Sequence, residues 1–215
     1  MILRNFAVFE GGDGSGTTTQ LGLLQNRFTA SATLPPLYLT SEPTDGPIGL
    51  IIRSALKGEL PLQRETLATL FAADRNEHVY APGGLENRSQ QGELVISDRY
   101  VLSSLVYQGI DCGEALARRL NDRFPFPELL VFFDIESEQA ITRMEGRHVK
   151  EIYEYLDFQI QVRKWYHSLL PWYAQEGVRV VIIDASQSPQ AVAAEIWRAL
   201  KEMPILRDVH DHDIE

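Results

Sequence analysis

The sequence predicts an α/β fold, a three-layer sandwich in which a five-stranded parallel sheet carries helices on both faces. Three observations predict it. Apolar runs of strand length recur along the chain, each followed by a turn signal and a helical pattern. The runs are near-continuous rather than alternating, which means burial on both faces, as in a parallel sheet covered by helices. The first run leads straight into a glycine-rich loop and then a helix, the opening unit of a doubly wound domain.

Four runs have the β-branched or aromatic content of buried strands: Phe6–Phe9, Leu94–Ser97, Leu129–Ile135 and Val178–Ile183. Leu37–Thr40 is a weaker fifth, set between Pro35-Pro36 and Ser41-Glu42-Pro43. Helical patterns fill the intervals at Thr17–Ala30, Pro47–Lys57, Pro61–Tyr80, Ser103–Tyr107, Gly113–Asn121, Ser137–Glu145, Tyr153–Gln175 and Pro189–Glu202. Pro82-Gly83-Gly84 breaks the third helix or begins a short second one. At 215 residues and 44% hydrophobic content the chain suits one domain over residues 1–206. The polar, acidic and unpatterned Arg207–Glu215 is expected to be a disordered tail.

The absence of any apolar run of about 18 residues speaks against a membrane span. With no leader pattern at the N-terminus, a soluble cytoplasmic protein is expected. One cysteine, Cys112, makes no internal disulfide and fits a reducing compartment. A net charge of −10 argues against long nucleic acid as a partner, because that mode needs an extended basic surface. A small phosphorylated ligand needs only a local basic pocket. The basic residues are 16 Arg and 4 Lys, and arginine is the side chain that grips phosphate at two points.

The loop Gly11-Gly12-Asp13-Gly14-Ser15-Gly16-Thr17-Thr18 has every spacing of the phosphate-binding P-loop, with Thr17 where the motif requires lysine. Its strand–loop–helix setting makes the predicted fold a P-loop sandwich. Backbone amides and the helix N-terminus would face the phosphates of ATP, with Thr18 placing a hydroxyl on Mg²⁺. Thr17 offers only a neutral hydrogen bond, about half as strong as a charge-assisted one. A second segment, Ser97-Asp98-Arg99-Tyr100, closes the third strand and puts Asp98 and Arg99 at the carboxyl edge where open α/β sheets bind ligands. There Asp98 would stand near the metal through water and Arg99 on a phosphate. Phe71, Asp74, Arg75 and His78 share one helical face; Phe71 could stack on a base whose polar edge Arg75 reads.

These segments resemble thymidylate kinase. The likeness runs from about Phe6 to Tyr166, through Phe9-Glu10-Gly11-Gly12-Asp13-Gly14-Ser15-Gly16, Ser41-Glu42-Pro43 with Pro47-Ile48-Gly49 and Arg53, Phe71-Ala72-Ala73-Asp74-Arg75 with Glu77-His78, Ser97-Asp98-Arg99-Tyr100 with Ser103 and Tyr107-Gln108-Gly109, and Val162-Arg163 with Tyr166. The resemblance implies phosphorylation of dTMP by ATP with Mg²⁺, for dTTP synthesis, and a homodimer. It implies that Phe71 stacks on thymine and Arg75 bonds its carbonyl edge, that Ser104 and Gln108 lie near the base, and that Tyr107 packs under the sugar where a 2′-hydroxyl would clash. Arg99 and Arg53 would hold the monophosphate beside a wall shaped by Glu42-Pro43, and Asp13 would meet the 3′-hydroxyl region.

Three departures stand out. Thr17 replaces the lysine, Ser41 stands where the family usually has arginine, and Glu145-Gly146-Arg147-His148-Val149-Lys150 is short for a lid, placed near 145–152. Gly14 is the non-basic choice at a position where some members place arginine, which matches members whose catalytic cation comes from the lid. Arg143, Arg147 and Lys150 are the candidates for that charge, with Arg147 or Lys150 expected to substitute for the absent lysine. A non-catalytic relative that senses dTMP, and a kinase for another nucleoside monophosphate, are the competing readings.

Overall fold

The protein is described here from a computed structural model covering residues 1–144, 152–153 and 155–207. The sheet comprises β1 (Ile2–Gly11), β2 (Leu37–Ser41), β3 (Leu94–Asp98), β4 (Phe126–Asp134) and β5 (Arg179–Asp184), all parallel and ordered β2-β3-β1-β4-β5. The helices are α1 (Thr17–Ala30), α2 (Pro47–Leu56), α3 (Arg64–Tyr80), α4 (Leu85–Gln90), α5 (Val101–Cys112), α6 (Glu114–Asn121), α7 (Ser137–Met144), α8 (Leu156–Gln175) and α9 (Pro189–Lys201).

Along β1 the side chains alternate between two cores. Phe6 and Val8 pack with residues of α2, α3, α5 and α8, whereas Ala7 and Phe9 pack with Leu24 and Phe28 of α1 and with Val192 and Ile196 of α9. β4 repeats this, Leu130 and Phe132 facing one way and Leu129, Val131 and Phe133 the other. Two buried faces explain the unbroken apolar runs. They also place α1 and α5 on opposite sides, so the chain leaves β1 and β3, which are neighbours, in opposite directions. The crevice between their carboxyl ends is the usual ligand position in such sheets.

Several elements depart from their predicted limits. β1 begins four residues early because Asn5, at φ 57°, sits in a register shift between Leu3 and Ala7 that let the polar Arg4-Asn5 pair mask the strand. α5 runs well beyond Ser103–Tyr107: Val101 to Gly109 are buried, and Gly109 lies under Trp165, where a Cβ would meet the ring at 3.0 Å. Tertiary burial overrides the glycine's poor helix propensity. α3 starts at Arg64 rather than Pro61, and α8 at Leu156 rather than Tyr153. After Pro82-Gly83-Gly84 the short α4 does form. Residues 208–215, most of the expected tail, lie outside the described residues.

Candidate active site

The glycine loop turns tightly, Ser15 N–H donating to Gly12 C=O (3.2 Å), before α1 begins. Gly16 caps α1 at φ 97° with no side-chain hydrogen bond to the first turn. The first amides of α1 therefore keep their donors for a ligand, and the helix dipole adds positive potential there. Gly14, at φ +82°, is pressed against α7: a Cβ would lie 2.4 Å from the Ala140 carbonyl oxygen. No side chain fits there, so the loop itself carries no basic residue at that position.

Two cavities open on this edge of the sheet. A cleft of about 550 Å³ is lined by Gly12 to Gln20, Asp98, Arg99, Arg143 and the start of α9. Arg143 is fixed in its wall by a bond to Ala185 C=O (2.9 Å). A larger cavity of about 770 Å³ is lined by Glu42, Pro43, Arg53, Phe71, Arg75, Ser104, Tyr107 and Gln108, among others. Asp13, Thr18, Asp98 and Arg99 line both. The predicted phosphate and acceptor residues thus fall into two adjoining spaces that share a four-residue junction.

At the junction, Arg99 has φ 69°, a left-handed conformation uncommon for a non-glycine residue. Its amide donates to Phe9 C=O (2.9 Å) and its carbonyl accepts from Ser97 Oγ (2.7 Å), which hold this turn. The guanidinium donates to Asp13 Oδ1 (2.5 Å) and Gly11 C=O (2.9 Å). Asp13 also accepts from Tyr107 OH (3.3 Å) and Gln159 Nε2 (2.7 Å), while its amide donates to Gln159 Oε1 (3.1 Å). Burial raises the Tyr107 hydroxyl well above its ordinary range, so it stays a donor.

Thr17 donates to Asp98 Oδ2 (3.1 Å). Burial pushes the Asp98 carboxyl up, opposed by the neighbouring Arg99 charge and the Thr17 hydroxyl and reinforced by Asp13. Its other oxygen, Oδ1, is buried with no hydrogen-bond partner among the described residues. No group of three or more acidic, histidine or cysteine side chains that could hold a metal occurs among the described residues. An unpartnered carboxylate oxygen on a residue that lines the same cleft as Thr18 nevertheless suits a magnesium ion, which keeps several waters and takes phosphate oxygens with one or two protein ligands.

In the acceptor cavity, Phe71 is half-buried on the wall and Arg75 is fully buried behind it. Arg75 bonds Glu42 Oε2 through Nε (2.8 Å), Ser104 Oγ through Nη2 (3.0 Å) and Asn121 Oδ1 through Nη1. Glu42 in turn meets His78 Nδ1 (2.9 Å), whose Nε2 lies 2.8 Å from Thr40 Oγ1. Arg53 donates to Pro43 C=O and reaches Asp45 Oδ1 (3.4 Å), so its charge is held at the cavity mouth. Gln108 Oε1 is buried in the same cavity with no hydrogen-bond partner among the described residues.

Arg147 and Lys150 lie outside the described residues, as does most of the predicted lid. Sequence reading missed Gln159, Tyr153 and Glu10. Gln159 shares the inward face of α8 with Val162 and Tyr166, and that three-and-four spacing was its signal. Tyr153 lines the acceptor cavity and packs on Tyr107 and Phe158. Glu10 was visible as a lone charge closing the apolar run of β1.

Comparison with known proteins agrees with this geometry. The thymidylate kinase family model matches residues 9–196. A Treponema pallidum protein bearing the thymidylate kinase name is 40% identical over 204 residues, 94% of this chain and 97% of that protein. One from Pyrobaculum aerophilum is 39% identical over 92% of this chain and 97% of its own length, and one from Methanococcus maripaludis 43% over 78% of each.

Proposed function

This chain belongs to the thymidylate kinase family, nucleoside monophosphate kinases, and on that premise we propose that it transfers the terminal phosphoryl group of ATP to dTMP, giving ADP and dTDP for dTTP synthesis. The observation that carries the reading is the junction: a glycine-loop cleft and an aromatic–arginine cavity meet at Asp13, Thr18, Asp98 and Arg99. ATP phosphates lie on the amides of residues 12–18, and dTMP fills the acceptor cavity with thymine on Phe71. Ser104, Gln108 and Arg75 face the base, Tyr107 lies under the sugar, and Arg53 and Arg99 take the monophosphate. Asp13 orients the sugar and Arg99 together.

Phosphoryl transfer asks the protein mainly for alignment and charge neutralisation. Thr18 and Asp98 would hold Mg²⁺, which supplies positive charge to the donor phosphates. Arg99 steadies the acceptor oxygen, and Arg147 or Lys150 provides the cation that Thr17 lacks. Arg147→Ala should lower turnover far more than it weakens dTMP binding; unchanged turnover removes Arg147 from the scheme, and Lys150→Ala is judged likewise. Thr17→Lys should raise activity if the loop alone limits the rate.

A coupled assay with ATP, Mg²⁺ and a panel of nucleoside monophosphates tests the whole reading. Turnover confined to dTMP is expected. Binding without turnover would make the protein a sensor, the role Thr17 favours, and turnover of another monophosphate would reassign the acceptor. The reading also takes the protein as a cytoplasmic homodimer; among the described residues no helix is long and apolar enough to cross a membrane.

A further inference from the structure

Glu10 ends the apolar stretch of β1, and none of its surface is exposed. A carboxylate so placed needs several donors to offset its lost hydration. It has them: the amides of Tyr100 (3.0 Å) and Ser103 (3.2 Å) reach Oε1, and the hydroxyls of Ser103 (2.6 Å) and Tyr166 (2.9 Å) reach Oε2. Both hydroxyls also face Arg99 Nη1, at 3.3 Å for Ser103 and 3.5 Å for Tyr166, and lie 2.8 Å from each other.

We propose that Glu10 is a positioning residue for Arg99, acting through the hydroxyls of Ser103 and Tyr166 to fix the guanidinium between the two cavities. The inference rests on the reading that Arg99 holds the acceptor phosphate. Its logic lies in hydrogen placement. An ionised carboxylate only accepts, and each hydroxyl has one hydrogen. When both hydrogens point at Glu10, both hydroxyl oxygens turn lone pairs toward Arg99, which only donates. The guanidinium is then drawn to one place from below, while Asp13 and Gly11 C=O hold it from the loop side. A neutral group at residue 10 would itself need an acceptor, and a hydroxyl that turned to accept would aim its hydrogen at the guanidinium. Arg99, Tyr166 and Tyr173 are the charged or titratable groups that face Glu10 from the neighbouring elements. Burial pushes Glu10 up to about 7 even with the Ser103 hydroxyl, Arg99 and Tyr166 pulling it down, so the relay operates fully above that pH, where the carboxyl is ionised, and the titration that tests it is run there.

The test is calorimetric titration of dTMP into the full chain, with thermal midpoints recorded for every variant. Tyr166→Phe removes one hydroxyl and should weaken dTMP binding about tenfold, the value of one hydrogen bond to a charged group; Ser103→Ala should do the same and Ser103→Thr should restore it. In an Arg99→Ala background, Tyr166→Phe should add nothing, since interacting residues are not additive. Equal losses with and without Arg99, or no loss in Tyr166→Phe, would overturn the relay. If Arg99→Ala leaves dTMP binding unchanged, the assignment of Arg99 to the acceptor phosphate falls and takes the inference with it. Glu10→Gln should match Tyr166→Phe, and should it fail to fold, the Tyr166/Arg99 pair still decides.

Discussion

Two arginine–carboxylate pairs lie in the walls of the same cavity and do different work. Arg75 and Glu42 have side chains only 1% and 2% exposed and approach to 2.6 Å, with Ser104, Asn121 and His78 occupying their remaining positions. Arg99 and Asp13 pair as closely, at 2.5 Å, yet are 24% and 22% exposed and line both cavities. A ligand can take hydrogen bonds from the second pair without leaving a buried charge behind. The first pair has no such freedom: its partners brace the wall, and Arg75 can offer the base only what Glu42, Asn121 and Ser104 leave. Two pairs of the same charge chemistry are thus divided by solvent access into a brace and a handle.

The largest expected effect breaks the brace. Glu42→Ala leaves Arg75 buried without its carboxylate and should cost about 3–5 kcal/mol in urea unfolding; a loss under about 1 kcal/mol would erase the distinction between the pairs. Next is the handle: Arg99→Ala should lower dTMP turnover by about 10²–10³, near 2.7–4 kcal/mol of transition-state stabilisation, with a melting temperature close to the parent's. A drop in melting temperature as large as that of Glu42→Ala would make both pairs structural.

Glu10, beneath the handle, sharpens the comparison through pH. Its carboxyl titrates near 7 in the folded protein against an ordinary 4.5, so it binds its proton more tightly folded than unfolded. Its contribution favours folding fully below about 4.5, is lost as pH rises, and is gone above about 7. Stability of the parent relative to Glu10→Gln should fall across that window and then level off, which melting curves from pH 4 to 8 will show. The smallest effect is expected at the loop: Thr17→Val removes one hydroxyl donor to the Asp98 carboxylate, about 1.5 kcal/mol, and should raise the KM for Mg·ATP about tenfold, with Thr17→Ser close to the parent.

Much of this was legible in the chain because it rests on local pattern. The glycine loop, the buried strands β1, β3 and β4 and the Asp98-Arg99 turn each occupy a few consecutive residues whose types have one conformational meaning; β5, expected to be buried as well, is an edge strand that leaves Ile182 exposed. Residues whose role depends on distant partners were not legible. Glu10 meets Ser103 and Tyr166 across the core, and Gln159 reaches Asp13 from α8; local pattern marks both residues as inward-facing, but it names neither one's partner. Arg75 was found by its helical face, but its burial against Glu42 and Asn121 depends on the packing of α3 on the β2 loop and α6. The early start of β1 was hidden by the polar Arg4-Asn5 pair, of which Asn5 has a left-handed backbone that a propensity cannot express.

The contact between Gly14 and the Ala140 carbonyl also bears on how this protein can change over generations. A basic side chain at residue 14 cannot be acquired in one substitution, because α7 must first retreat from the loop. Residue 17 faces an open cleft and accepts a longer side chain directly. Of the two positions from which the loop could carry its own positive charge, only one is open to a single mutation, and the other depends on an earlier change in a different helix.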